Sequence, residues 1–133
     1  MHTIVTLTHV ENLHCQTRRP DGGFMAVDPA IATNSDRGYS PLELLALAHG
    51  TCTAMMMAKA GKTVGLDLAQ MQVEVVHEYN PGPPMLLESA ILRFRLPCST
   101  SPEQREHLQK GATLCPVHSA LRNDIPVTLE LIQ

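Results

Sequence analysis

Hydrophobic and polar positions alternate along residues 3–10, TIVTLTHV, and the β-branched residues among them suit a strand. A weaker pattern over 13–19, LHCQTRR, predicts a second strand. The turn signal PDGG follows at 20–23, and FMAVD at 24–28 predicts a third strand. The opening is therefore expected to be a small antiparallel meander. Residues 29–39, PAIATNSDRGY, carry turn formers and Gly38 and suit a loop.

The pattern then changes to SPLELLALAHGTCTAMMMAKAGKTVG. Ser40 is placed as N-cap, Pro41 as the first helical residue and Glu43 three residues after the cap, the arrangement of a capping box. This helix is expected to run to about Lys62, with Gly65 near its end. From Leu42 to Ala60 only Glu43, His49, Lys59 and the threonines interrupt the apolar run. A helix apolar on all sides must be covered on all sides. Six short strands cover one side of it, so a second subunit is expected on the other, with the helix central in an obligate dimer. The alternative is that one bent sheet covers it alone. Gly50 and Gly61 cost the helix about 1 kcal/mol each relative to alanine, which suggests close packing there.

Alternation returns over 69–81, with Met71, Val73 and Val75 against Gln72 and Glu74, and again over 86–97, LLESAILRFRLP. PGPP at 81–84 links these two strands. Ser101 is expected to cap a helix from Pro102 to about Gly111, with Glu103 and Glu106 near its start. CPVHSALRN at 115–123 predicts a third, short helix, and IPVTLELI at 125–132 a closing strand. The order β-β-β-α-β-β-α-α-β fits an α+β fold better than alternating βαβ units. The 133 residues suit a single domain spanning 1–133.

A net charge of −3, no Lys/Arg-rich run and only four aromatic residues argue against nucleic acid as a partner. No stretch reads as a membrane span. The start, MHTIVTLTHVEN, lacks a basic region and an apolar core of signal type, so a cytoplasmic location is expected. In that setting the four cysteines are reduced thiols and not a disulfide framework. No CxxC motif occurs.

Cys52 lies about three turns into the long helix, with Ala48, His49, Met55 and Met56 as its nearest helical neighbours. That setting by itself suits a packed thiol better than a reactive one. Buried there, it keeps a raised pKa unless a cation is brought beside it, and Arg18, Arg19 and Arg37 in or beside the predicted loops are the candidates. Cys115 precedes Pro116 at the start of the short helix, where free N–H groups favour a thiolate, so local physics makes it the more acidic thiol. Cys15 and Cys98 carry no partner signature and read as packing residues. His77 and His107 read as surface residues, and Glu103, Arg105 and Glu106 as a solvated face. A metal reading also exists, because His49-x-x-Cys52 and Cys115-x-x-His118 each offer two ligands one helical turn apart, together a Cys2His2 set.

SPLELLALAHGTCTA, with Pro41 eleven residues before Cys52, resembles the helix carrying the first cysteine of the OsmC/Ohr family, and CPVHSAL resembles that family's second cysteine motif. The order of elements is similar across essentially the whole chain. The resemblance implies an intertwined α+β homodimer with the cysteine helices central and active sites at the subunit interface. It implies a thiol peroxidase acting on organic hydroperoxides in stress defence, with Cys52 as peroxidatic and Cys115 as resolving thiol, an external dithiol as reductant, and no metal or organic cofactor. It also implies an arginine over the thiolate, held by a glutamate near the helix start. In the organic hydroperoxide resistance branch that glutamate directly follows the proline. Here Leu42 stands there and Glu43 comes one place later, and TRRPDGG is a rough counterpart of the loop that supplies the arginine. The chain thus looks nearer the general OsmC-like branch. The displaced glutamate leaves a second expectation open, a redox-sensing or hydrophobic-ligand protein on the same dimeric fold.

Overall fold

A computed structural model of the chain describes residues 3–11, 14–18, 22, 24–27, 38–121 and 125–132. The elements follow the expected order, three strands, a long helix, two strands, two helices and a last strand. The chain divides into two compact units, Met1–Leu45 and Ala46–Gln133. The strands form two three-stranded sheets and not one bent sheet.

In the first unit β1 (Leu7–Glu11), β2 (His14–Arg18) and β3 (Phe24–Val27) make an antiparallel meander. Cys15 of β2 pairs with His9 of β1 and Val27 of β3. The first strand is shorter than the alternation predicts: Ile4 and Val5, 86% and 79% exposed, precede it. An alternating pattern marks a strand only where a neighbour supplies hydrogen bonds.

Helix α1 (Pro41–Thr63) begins where its cap predicts, with the Ser40 hydroxyl accepting the Glu43 N–H at 3.1 Å and the Ser40 carbonyl accepting the Leu44 N–H at 2.9 Å. It stops at Gly65, whose φ of 76° is cheap only for glycine, with Leu66 N–H donating back to the Gly61 carbonyl at 2.9 Å.

The second unit is built on the sheet β4 (Gln72–Tyr79), β5 (Leu87–Arg95) and β6 (Val127–Ile132) in that spatial order. β4 and β5 are antiparallel, whereas β5 and β6 are parallel and are connected through α2 (Pro102–Ala112) and α3 (Pro116–Leu121). A parallel pair needs such a crossover. Ala90, Leu92 and Phe94 of central β5 pack with Met57 of α1, Leu108 and Ala112 of α2, Leu68 and Leu96 in one core. The other face carries Arg93, in register with Glu74 and Glu130, and its guanidinium pairs with both carboxylates. Ser101 caps α2 through a box completed by Gln104 and not by either glutamate near the start.

Two glycines set how closely α1 packs. A Cβ on Gly50 would fall 2.5 Å from Val75 of β4, and one on Gly111 of α2 would fall 2.4 Å from the Cβ of Ala60. The helix therefore presses on β4 beside Val75 and on α2 near its end, closer than any side chain permits. The Arg105 side chain does not join a solvated face: it reaches the Leu131 carbonyl of β6 at 2.5 Å.

Candidate active site

Cys52 on α1 and Cys115, immediately before α3, lie close enough for each to shift the other's pKa. Cys52 is half-buried and Cys115 is 1% exposed. Cys115 Sγ accepts the His118 N–H at 3.4 Å and is also within reach of the Val117 N–H, the Thr53 hydroxyl and the Cys52 thiol. Burial is the largest single effect on Cys115 and opposes charge, but these hydrogen bonds together outweigh it and its pKa lies below that of a free thiol. Cys52 goes the other way. Burial raises its pKa, the neighbouring Cys115 raises it further, and the Val117 N–H offsets only part. No lysine or arginine of the described residues is among the groups that shift either thiol.

Thr53, 2% exposed, is the hinge between this pair and a group of histidines. Its hydroxyl donates to the His49 carbonyl one turn earlier at 2.8 Å and is among the groups that lower the Cys115 pKa. His49, 1% exposed, places Nδ1 at 2.9 Å from His77 Nε2 of β4 and stacks on His118 of α3 with ring centroids 5.5 Å apart. His77 meets Tyr79 edge-on. Burial, then the proximity of His77 and His118, pushes the His49 pKa down from 6.5 to about 4, and burial alone lowers that of His77. Both imidazoles are thus neutral near pH 7, and one of the facing nitrogens donates while the other accepts. A cavity of about 230 Å³ opens beside the group, lined by His49, Thr53, Ala112, His118, Val127 and Leu129 among others.

Two site expectations need correction. His77 is not a surface residue: β4 alternates, and Val73, Val75, His77 and Tyr79 share its inward side. Extending the Met71–Val73–Val75 pattern by one step would have found it. The Cys2His2 metal set does not converge. The His49 and His118 rings lie parallel within 7°, His49 Nδ1 is taken by His77, and among the described residues no group of three or more His, Cys, Asp or Glu is placed to hold a metal ion. Arg19 and Arg37 lie outside the described residues, as does the side chain of Arg18 at the end of β2. Glu43 is exposed in the first turn of α1. Cys98 is half-buried against the core with its thiol toward the Asp67 carbonyl, and Cys15 is half-buried within the meander. Thr53 was not singled out by sequence, although it shares the buried side of α1 with His49, Gly50, Met57 and Gly61 at helical spacing.

No curated protein sequence matches the chain at a significant level. Solved structures do match its fold. The OsmC-like protein of Mycoplasma pneumoniae superposes with a TM-score of 0.82 at 16% identity, over 100% of this chain and 99% of that one. An organic hydroperoxide resistance protein from Elizabethkingia anophelis gives 0.75 at 18% identity, covering 100% and 98%. The organic hydroperoxide resistance protein OhrB of Bacillus subtilis gives 0.72 at 16% identity, covering 97% and 98%. At these identities the likeness is one of fold. The OsmC-like protein family model matches residues 33–130, which includes both cysteine motifs and runs from before α1 into β6, and the chain belongs to that family.

Proposed function

We propose that this protein is a two-cysteine thiol peroxidase that reduces organic hydroperoxides, with hydrogen peroxide as a poorer substrate, in defence against oxidative or osmotic stress. The observation that supports the reading is the proximity of Cys52 and Cys115, two thiols from segments far apart in the chain that shift each other's pKa. Cys52, the more accessible of the two, attacks the terminal peroxide oxygen. The O–O bond breaks, the alcohol leaves, and Cys52 becomes a sulfenic acid. The Cys115 thiolate then displaces hydroxide from that sulfur to form a Cys52–Cys115 disulfide, which an external dithiol reduces. Met56 and the aliphatic residues near Cys52 favour an apolar peroxide tail. No metal or organic cofactor takes part in this scheme.

A homodimer is part of the proposal. α1 leaves Leu47 and Met55 exposed at 40% and 67%, apolar side chains that a second subunit would cover. The raised pKa of Cys52 favours a second reading, a redox sensor that forms the disulfide without repeated turnover. Consumption of cumene hydroperoxide by the reduced protein with excess dithiothreitol separates the two. Many turnovers per subunit are expected, with complete loss in Cys52→Ser and a trapped sulfenic acid in Cys115→Ser. Undiminished consumption by Cys52→Ser would sink the enzyme reading, and a single turnover per subunit would leave the sensor.

A further inference from the structure

The histidine group holds buried nitrogens with no hydrogen-bond partner among the described residues, and a space lies beside it. That cavity of about 230 Å³ takes its apolar wall from Ala112 of α2 and from Val127 and Leu129 of β6, and its polar wall from His49, His118 and Thr113. Neither Cys52 nor Cys115 lines it. We propose that this cavity is a binding site for a small uncharged molecule, a single ring or short chain carrying an acceptor oxygen, held by a hydrogen on His49 Nε2. The inference goes beyond the peroxidase reading and does not depend on it.

The direction of the bond between His49 and His77 carries the argument. His49 Nδ1 and His77 Nε2 lie 2.9 Å apart, and each neutral imidazole has a single N–H. If His49 donated from Nδ1, His77 would accept at Nε2 and hold its own hydrogen on Nδ1. That atom is buried and has no partner among the described residues, so its N–H would be orphaned. If His77 donates, its Nδ1 is only a bare acceptor, and His49 holds its hydrogen on Nε2. A buried N–H left without a partner is rarer than an unmet acceptor, which favours the second arrangement. With Nδ1 turned to β4, Nε2–H is the donor that His49 presents to the cavity it lines. His118 stacks on His49 with ring planes within 7° and belongs to the same wall. Its Nδ1 is likewise buried without a partner among the described residues.

Size and polarity set the class of ligand. An engineered apolar cavity of about 150 Å³ admits benzene. A cavity of about 230 Å³ therefore has room for a six-membered ring with a small polar substituent. The Ala112, Val127 and Leu129 side chains receive the apolar body, and the Nε2–H of His49 receives the oxygen. A charged group would give up its water against those three side chains and a buried imidazole, so the ligand is uncharged. Alcohols and ketones with one ring or a short chain meet these terms.

The test adds benzyl alcohol, toluene and benzylammonium to the full reduced chain and needs no peroxide. Calorimetry gives the affinities, and proton–nitrogen correlations of the histidine rings give the tautomers. His49 should carry its hydrogen on Nε2, and benzyl alcohol should shift that nitrogen. His49→Phe should weaken benzyl alcohol roughly fivefold, the worth of one neutral hydrogen bond, and leave toluene binding undiminished. Benzylammonium should not bind. Val127→Phe fills the cavity and should abolish binding of both neutral probes; Thr113→Phe, at the exposed end of α2, replaces it where Val127→Phe does not fold. The double variant Cys52→Ser, Cys115→Ser should bind benzyl alcohol as the parent does. A His49 hydrogen on Nδ1, benzyl alcohol binding that survives a filled cavity or is lost with the thiols, or benzylammonium binding as tight as that of the alcohol overturns the proposal. If His49→Phe does not fold, the tautomer and the shift in the parent decide. Failure of peroxide turnover with this binding intact sinks the peroxidase reading alone.

Discussion

Acid should loosen this protein through His49. The ring is 1% exposed, faces His77 at 2.9 Å and stacks on His118. Burial and its two histidine neighbours lower its pKa from 6.5 to about 4. A histidine whose folded pKa lies below its unfolded one binds fewer protons in the native state, so protons favour unfolding. The neutral ring costs nothing above about pH 7. As pH falls from about 6.5 to about 4 the unfolded chain takes up a proton that the native chain refuses, and stability is lost across that window. The loss reaches about 3 kcal/mol for this one residue, a large share of the 5–15 kcal/mol typical of a domain. His77, lowered by burial, adds in the same direction. Urea unfolding followed by circular dichroism, at fixed protein concentration between about pH 7 and pH 4, measures it against His49→Gln, which keeps an amide toward His77. Between those limits the parent midpoint should fall by roughly 1–2 M urea more than that of the variant. Equal falls in the two proteins, or an NMR titration of His49 centred at or above its ordinary value, would refute the reasoning.

Two further outcomes follow from packing. Gly111→Ala should lower stability by roughly 1–3 kcal/mol in a thermal melt, because its Cβ would lie 2.4 Å from that of Ala60, even though alanine suits a helix better than glycine does; an unchanged or raised melting temperature would mean that α1 and α2 part freely. Met55→Glu, at an exposed apolar position of α1, should turn a dimer into a monomer in light scattering, and a parent protein that is already monomeric would refute the dimer.

The elements of this chain follow from local rules, which is why they were legible in the sequence. Ser40 and Ser101 cap helices because a hydroxyl satisfies a free N–H wherever such a turn starts, and Gly65 ends α1 because its φ is positive. Alternation in β4 and β5 marks one buried side of a sheet, and it held for Ala90, Leu92 and Phe94. The acidity of Cys115 relative to Cys52 was also local in part, since the N–H groups of Val117 and His118 lie next to it in sequence.

What the sequence by itself determined, then, was the order of elements, their caps and the two cysteine motifs that mark the family. Only the tertiary structure decided that Cys52 and Cys115 lie close enough to shift each other's pKa, that the Thr53 hydroxyl bonds the His49 carbonyl, that Arg105 reaches β6, and that His77 turns inward to His49. The physical reason is that periodicity reports which side of an element is buried, whereas a charge, a proton or a shared hydrogen bond depends on which distant group is packed against that side. Here α1 presses onto β4 at Gly50 and onto α2 at Gly111, and that close approach of segments far apart in the chain accompanies the thiol pair and the histidine cluster.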